Sequence, residues 1–235
     1  MTDNADQLGQ TLPYHVLYPG DEGEPVVVID DFFSSPDALQ EQAARQDYAP
    51  GGRHYPGHRA PAPSGYLAER IDLLQDILTD VFDMEAGARL VECNFSRVTT
   101  PPDELTPIQC LPHFDGTNPG FVALLHYLSG PEYGGTSFYR HCSTGFETIS
   151  ADRFDIYDRT LQAEANAIGL PPQRYFSGST DQFEQIGQVE ARVNRMVLYR
   201  GLCLHSGDIP RADYIGEPDE EARLTVNTFL VARNR

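Results

Sequence analysis

The chain contains no lysine: all 17 of its basic residues are arginine, set against 35 acidic ones. That absence excludes Schiff-base chemistry, a phosphate-binding P-loop and any lysine anion clamp. The charge balance excludes more. A net charge of −18 opposes contact with a phosphate backbone, because affinity for nucleic acid comes largely from basic side chains that displace condensed counterions. No nucleic-acid partner is expected. Long apolar runs are missing too. Nothing approaches the roughly 18 residues that a membrane span requires, and "MTDNADQLGQ" has no basic segment followed by an apolar stretch, so no membrane partner is expected and the cytoplasm is the expected location. Cysteine is sparse and scattered. Cys93, Cys110, Cys142 and Cys203 form no close pair, which points away from a disulfide framework or thiolate zinc site and toward free thiols in the core.

What is present is enough to fill a core. The hydrophobic fraction of 40%, with 12 Tyr and 12 Phe in 235 residues, suits one domain over 1–235, its core spanning about 25–232. "PVVVIDDFF" (25–33) is a β-rich run, and the Ser35-Pro36 step after it opens a helix as N-cap and first helical residue. Residues 50–65, "PGGRHYPGHRAPAPSG", are too rich in Pro and Gly for regular structure and predict a long loop. Leu67, Ile71, Leu74, Leu78 and Val81 then recur at helical spacing. From Leu90 the period becomes two: Val91, Cys93 and Phe95 share one face, and Glu92, Asn94 and Ser96 the other. Further strands are predicted at 121–129, 135–141, 189–201, 202–206 and 223–232, with residues 150–188 as a partly helical insertion. The fold class is therefore mainly β with flanking helices: two N-terminal helices, about seven or eight short strands in a sandwich or barrel, and one late insertion.

"LPHFDGTN" (111–118) places His113 and Asp115 two positions apart. In an extended segment side chains i and i+2 project from one face, so the two can converge on one metal ion. A third ligand is needed, and His126, His141 and His205 are the candidates. His126 sits inside an apolar strand and reads as a satisfied core histidine; His141 ends its strand as a second-layer group or a turn cover. His205 closes the apolar run "LCLH" before Ser206-Gly207 and points into a mouth. Two histidines and a carboxylate form the facial triad typical of non-haem Fe(II) oxygenases.

With His113, Asp115 and His205 in view, the sequence resembles the Fe(II)- and 2-oxoglutarate-dependent dioxygenases, as a bacterial-type branch related to the prolyl-hydroxylase-like oxygenases. "PEYGGTSFYRH" and "VVVIDDFFSSPDALQE" resemble the Gly-Gly core-strand entry and the leader strand and helix of those enzymes. The resemblance implies a double-stranded β-helix (jelly roll) core, with H-x-D on an early core strand. It implies three cofactors or cosubstrates: Fe(II) on His113, Asp115 and His205, 2-oxoglutarate, and O2. It also implies an Arg on the strand after the last ligand that binds the distal carboxylate of 2-oxoglutarate, and "ARLTVN" supplies Arg223 with Thr225 on the same face. An arginine fork pairs bidentately with a carboxylate, and Thr225 can add a hydrogen bond. The interval from His205 to Arg223 is longer than usual in that branch, so Arg211 is the alternative. Asn94 and Ser96 either hydrogen-bond the cosubstrate or form a solvated face. The activity implied is hydroxylation of an amino-acid, peptidyl or small-metabolite substrate, with 50–65 and 150–188 as rim elements. A catalytically silent β-helix or cupin-like binding protein would share the strand pattern and stays open.

Overall fold

The computed structural model describes residues 13–210 and 222–233, and within them the chain forms a jelly roll of two antiparallel sheets. The strands are β1 (His15–Leu17), β2 (Val26–Ile29), β3 (Ala49–Pro50), β4 (Gly57–Pro61), β5 (Ala88–Val98), β6 (Phe121–Tyr127), β7 (Thr136–His141), β8 (Phe183–Val189), β9 (Met196–Arg200), β10 (His205–Gly207) and β11 (Arg223–Ala232). The larger sheet runs β1-β2-β9-β6-β11-β5-β4-β3 and the smaller β10-β7-β8. The helices are α1 (Pro36–Ala44), α2 (Ile71–Asp80) and α3 (Ala151–Ile168). Among the described residues no helix is long and apolar enough to cross a membrane.

The large sheet is covered on both faces. Val27, Ile29, Val122, Leu124, Met196 and Leu198 pack with Leu39, Ile77 and Phe82 on the helix side. Their strand neighbours Val26, Val28, Ala123, Leu125, Val197 and Tyr199 pack with Phe138 of the small sheet. Successive side chains of a strand point to opposite faces, so a strand covered on both must be apolar at every position. This is why β2, β6 and β9 read as unbroken apolar runs. A third cluster, with Tyr139, Phe183 and Leu204, is closed by Tyr157 of α3, which therefore lies on the outer face of the small sheet. His141 holds that helix: its Nε2 is 3.1 Å from Glu164 Oε2 and its Nδ1 2.9 Å from Thr144 Oγ1.

Several elements differ from expectation. Residues 50–65 are not one loop, because β4 pairs with β5 along its whole length and β3 with β4; Pro50 and Pro61 are tolerated since these are the last strands at one edge of the sheet. The insertion is shorter than 150–188, because β8 pairs with β7 as a core strand; Gly187 and the polar residues of "FEQIGQV" mask its alternation. The segment 189–201 is a turn followed by β9. In 66–82 the first turn is a 3-10 helix, Ser64–Arg70, and this change of pitch leaves Ile71 46% exposed instead of in the core. Val91 leaves the face it was predicted to share with Cys93 and Phe95. Phe229 pairs with Glu92 but Leu230 with Leu90, so Val91 is the extra residue of a bulge and turns outward. Of the four free thiols Cys142 is exposed and Cys93 half-buried, so only Cys110 and Cys203 lie in the core.

His126 is a core histidine, but it is satisfied at one ring nitrogen only. Its Nε2 lies 3.1 Å from Asn194 Oδ1, which also accepts from the Phe33 N–H, so Nε2 carries the proton. Nδ1 is buried without a partner, and burial pushes the imidazole from 6.5 down to about 4. The unfolded chain takes up a proton below 6.5 and the folded chain does not until about 4, so this group stabilises the fold above 6.5 and the contribution is lost as pH falls between those values. The full linkage is about 3 kcal/mol. Urea unfolding at pH 7 and pH 4.5 should therefore show a smaller pH-dependent loss in His126→Gln than in the wild type; equal losses would remove His126 as a source.

Candidate metal centre

His113 and Asp115 do not lie on a core strand. They sit between a 3-10 turn, Pro107–Cys110, and β6, and two backbone contacts place them. The His113 N–H donates to the His205 carbonyl and the His205 N–H to the His113 carbonyl, both at 2.8 Å. The Asp115 N–H donates to the Gly201 carbonyl at 2.6 Å and Gly116 N–H to the same oxygen at 3.2 Å. The strand that was expected is thus a single bridge plus an anchor, yet the side chains still converge. Gly201 permits the anchor: a Cβ there would stand 2.6 Å from the Phe121 ring and 3.2 Å from Asp115 Cβ.

One donor atom from each of His113, Asp115 and His205 lies within 4.8 Å of the others. His113 Nε2 is 4.0 Å from Asp115 Oδ1 and His205 Nε2 3.7 Å from Oδ2. Ligand atoms bound side by side at about 2.1 Å stand about 3 Å apart, so both pairs lie within about 1 Å of the spacing a shared ion would impose. His205 Nδ1 donates to the Cys203 carbonyl at 2.9 Å, which leaves the lone pair on Nε2, facing Asp115. Such an outer hydrogen bond fixes the tautomer a metal needs. Burial pushes His205 down to about 4. It also pushes His113 down, with His205 beside it adding to the effect. Both rings are therefore neutral near pH 7, the ligating form. Burial pushes the Asp115 carboxyl up, against the opposing pull of His113 and Arg59, and its Oδ2 is buried with no hydrogen-bond partner. An orphaned carboxylate oxygen between two lone pairs is unfavourable alone. A divalent cation satisfies all three, so the donor set fits a metal.

The three side chains open on a cavity of about 680 Å³, within the usual size for small-molecule sites. Arg223 lines it too. The residue is 5% exposed, and its guanidinium donates to the Gly135 carbonyl at 3.0 Å and more weakly to Gly134, and sits 5.4 Å from the Tyr127 ring centroid. No carboxylate among the described residues pairs with it. Arg211, Glu220 and Glu221 lie outside the described residues. Thr225, Ser96 and Asn94 occupy the same sheet face but are not among the side chains lining the cavity. The Thr225 hydroxyl donates to Asn227 Oδ1 at 2.6 Å, and Asn227 is the residue that reaches the cavity. Asn94 hydrogen-bonds Glu92, and Ser96 is wholly buried beside the Tyr55 hydroxyl.

Both expected rim segments line the cavity. Residues 50–65 contribute Arg53, His54, Tyr55 and Arg59, and the insertion contributes Phe154, Tyr157 and Leu161. His58 is spent elsewhere, with Nδ1 2.7 Å from Thr99 Oγ1. Sequence reasoning missed Tyr199, whose ring stands edge-on to His205 at 4.7 Å. The alternation of "MVLYR" was its one available signal.

The family model described as "Family of unknown function (DUF6445)" matches residues 10–230. The chain belongs to that family. No curated protein matches it. Among solved structures, it is similar to the non-heme alpha ketoglutarate dependent epimerase SnoN from nogalamycin biosynthesis, at 13% identity and a TM-score of 0.49, covering 88% of this chain and 78% of that one. It is similar to iron-bound HygX from Streptomyces hygroscopicus at 16% identity, TM-score 0.47, covering 89% and 83%. A Pseudomonas putida prolyl-4-hydroxylase matches at 14% identity, TM-score 0.44, covering 90% and 95%.

The closeness of Gly201 to Asp115 is testable. Gly201→Ala is expected to cost about 1–3 kcal/mol in thermal or urea melts through overpacking, and to weaken divalent-metal uptake at equilibrium dialysis by moving the Asp115 anchor. Wild-type stability together with wild-type uptake would show that the loop yields freely.

Proposed function

We propose that this protein is a non-haem Fe(II)- and 2-oxoglutarate-dependent oxygenase that hydroxylates a small-molecule or peptidyl substrate. The observation that carries the reading is one cavity holding both the His113–Asp115–His205 donor set, its two imidazoles neutral, and a buried arginine that no carboxylate among the described residues pairs with. The resemblance of the sequence to that superfamily supports it. Fe(II) bound by the three residues would supply, with O2, the oxidation that converts 2-oxoglutarate to succinate and CO2 and delivers the second oxygen atom to substrate.

The chain's own residues account for the rest. Arg223 binds the distal carboxylate of 2-oxoglutarate, with its fork already oriented by the Gly134 and Gly135 carbonyls. Asn227, held by Thr225, orients the cosubstrate beside it. The Cys203 carbonyl keeps the proton on His205 Nδ1, and the Tyr199 ring keeps that imidazole in place. Phe121, Phe229 and Tyr199 on the cavity wall exclude water from the reacting region. With Fe(II) held by the three residues, Asp115 would fill the position that chloride would need, so the outcome is hydroxylation or another plain oxidation.

Wild-type protein should take up one Fe(II) per chain and form succinate from 2-oxoglutarate, while His113→Ala and His205→Ala lose both properties. Arg223→Gln should keep the metal but bind 2-oxoglutarate more weakly by about 2–5 kcal/mol, some thirty- to several-thousandfold. Wild-type metal content in both histidine variants would sink the triad, and normal cosubstrate binding by Arg223→Gln would move the clamp to Arg211. With substrate and chloride present, mass spectrometry should find addition of one oxygen atom or desaturation; a chlorinated product would overturn the role given to Asp115.

A further inference from the structure

Besides Arg223, Arg53 and Arg59 line the cavity, and Arg59 is placed by the sheet. Arg59 of β4 is paired with Ser96 of β5, and Ser96 with Thr225 of β11. Two strand spacings, about 10 Å, therefore separate its backbone from the strand carrying Arg223. The guanidinium lies over the Tyr55 ring, with Cζ 4.3 Å from the centroid. Nη1 donates to Glu92 Oε1 at 3.1 Å, and Nε is buried with no partner among the described residues. Other arginines are used more fully. Arg195 grips Asp30 through Nε and Nη2, at 2.7 and 3.0 Å, and Arg140 reaches Asp21, Glu147 and Glu184. Those are structural. Arg59 makes one ion pair, on a cavity wall, and leaves most of its donor fork unspent.

The cavity also gathers apolar side chains that the fold leaves open. Val91, Ile108 and Phe154 are 48%, 43% and 41% exposed, come from three separate elements, and all line it. Phe114 meets Phe154 edge-on at 6.1 Å. Converging exposed apolar groups around a pocket mark a surface meant to be covered by a ligand.

We propose that Arg59 anchors a carboxylate of the substrate, and that the substrate is an organic acid with an apolar body lying against Val91, Ile108 and Phe154. The inference rests on the oxygenase reading only in calling the ligand a substrate; binding itself needs neither metal nor O2. Arg223 stays with the cosubstrate because it stands two strands away, held by backbone carbonyls of its own.

The probes are 3-phenylpropanoate and its uncharged amide, titrated calorimetrically into the purified full-length chain. The acid should bind saturably and at least tenfold more tightly than the amide. Arg59→Gln should abolish that preference while leaving amide binding unchanged, and Arg59→Lys should restore part of it, which a misfolded variant would not. Arg223→Gln should keep the preference, and Phe154→Ala should weaken both probes alike. Equal binding of acid and amide, no saturable binding of the acid, a preference that survives Arg59→Gln, or one that disappears in Arg223→Gln would each overturn the proposal. If the acid binds as stated but no succinate forms from 2-oxoglutarate, the oxygenase reading fails and this inference stands. Succinate formation without a preference for the acid removes this inference alone.

Discussion

The reciprocal backbone bridge between His113 and His205 is the contact on which the site depends. Each of its two hydrogen bonds contributes only about 0.5–1.5 kcal/mol to stability, but together they fix where two imidazoles from distant parts of the chain stand. His205 belongs to the small sheet through its pairing with Phe138. Asp115 is tied to Gly201, just past the end of β9 in the large sheet. The donor set therefore lies on the seam between the sheets, and any change in how they face one another is transmitted to all three side chains.

The lack of lysine and the excess of acid gain meaning beside this geometry. Several of the arginines described are neutralised: Arg195 by Asp30, Arg153 by Glu22, and Arg140 by a cluster of carboxylates. At long range a chain of net charge −18 repels anions. Arg223 and Arg59 stand in a partly desolvated cavity, where an ion pair is worth far more than in water. An anion bound there would be selected by local contact and not drawn in by the overall field.

How much of this was legible follows from what is local. The bounds of β11 coincide with the periodic run 223–232, and the burial of β2 and β6 follows from their unbroken apolar runs. His113, Asp115 and His205 could be picked out because few residue types bind metal and their flanking patterns differed. By contrast β4 and β8 owe their form to the partners β5 and β7, since "GHRAP" and "FEQIGQV" carry weak signals of their own. Asn94 and Ser96 were read as one polar face and Thr225 as sharing a face with Arg223, but whether a side chain there reaches the cavity depends on neighbours such as Asn227, which no single strand reveals. Arg59 was hidden for the same reason, being one of two arginines in a segment with no periodic pattern.

The bulge at Val91 divides β5 into two parts with different freedom. From Glu92 to Val98 the strand is locked residue by residue to β11, including the position opposite Arg223. Before the bulge the register is offset by one, and the offset is what turns Val91 into the cavity mouth. Insertion or deletion of a single residue at this point would recut the mouth by changing which side chains face inward, while the ladder leading to Arg223 stayed in phase. A length change at the bulge would thus alter the lining of the cavity mouth without disturbing the pairing that carries Arg223.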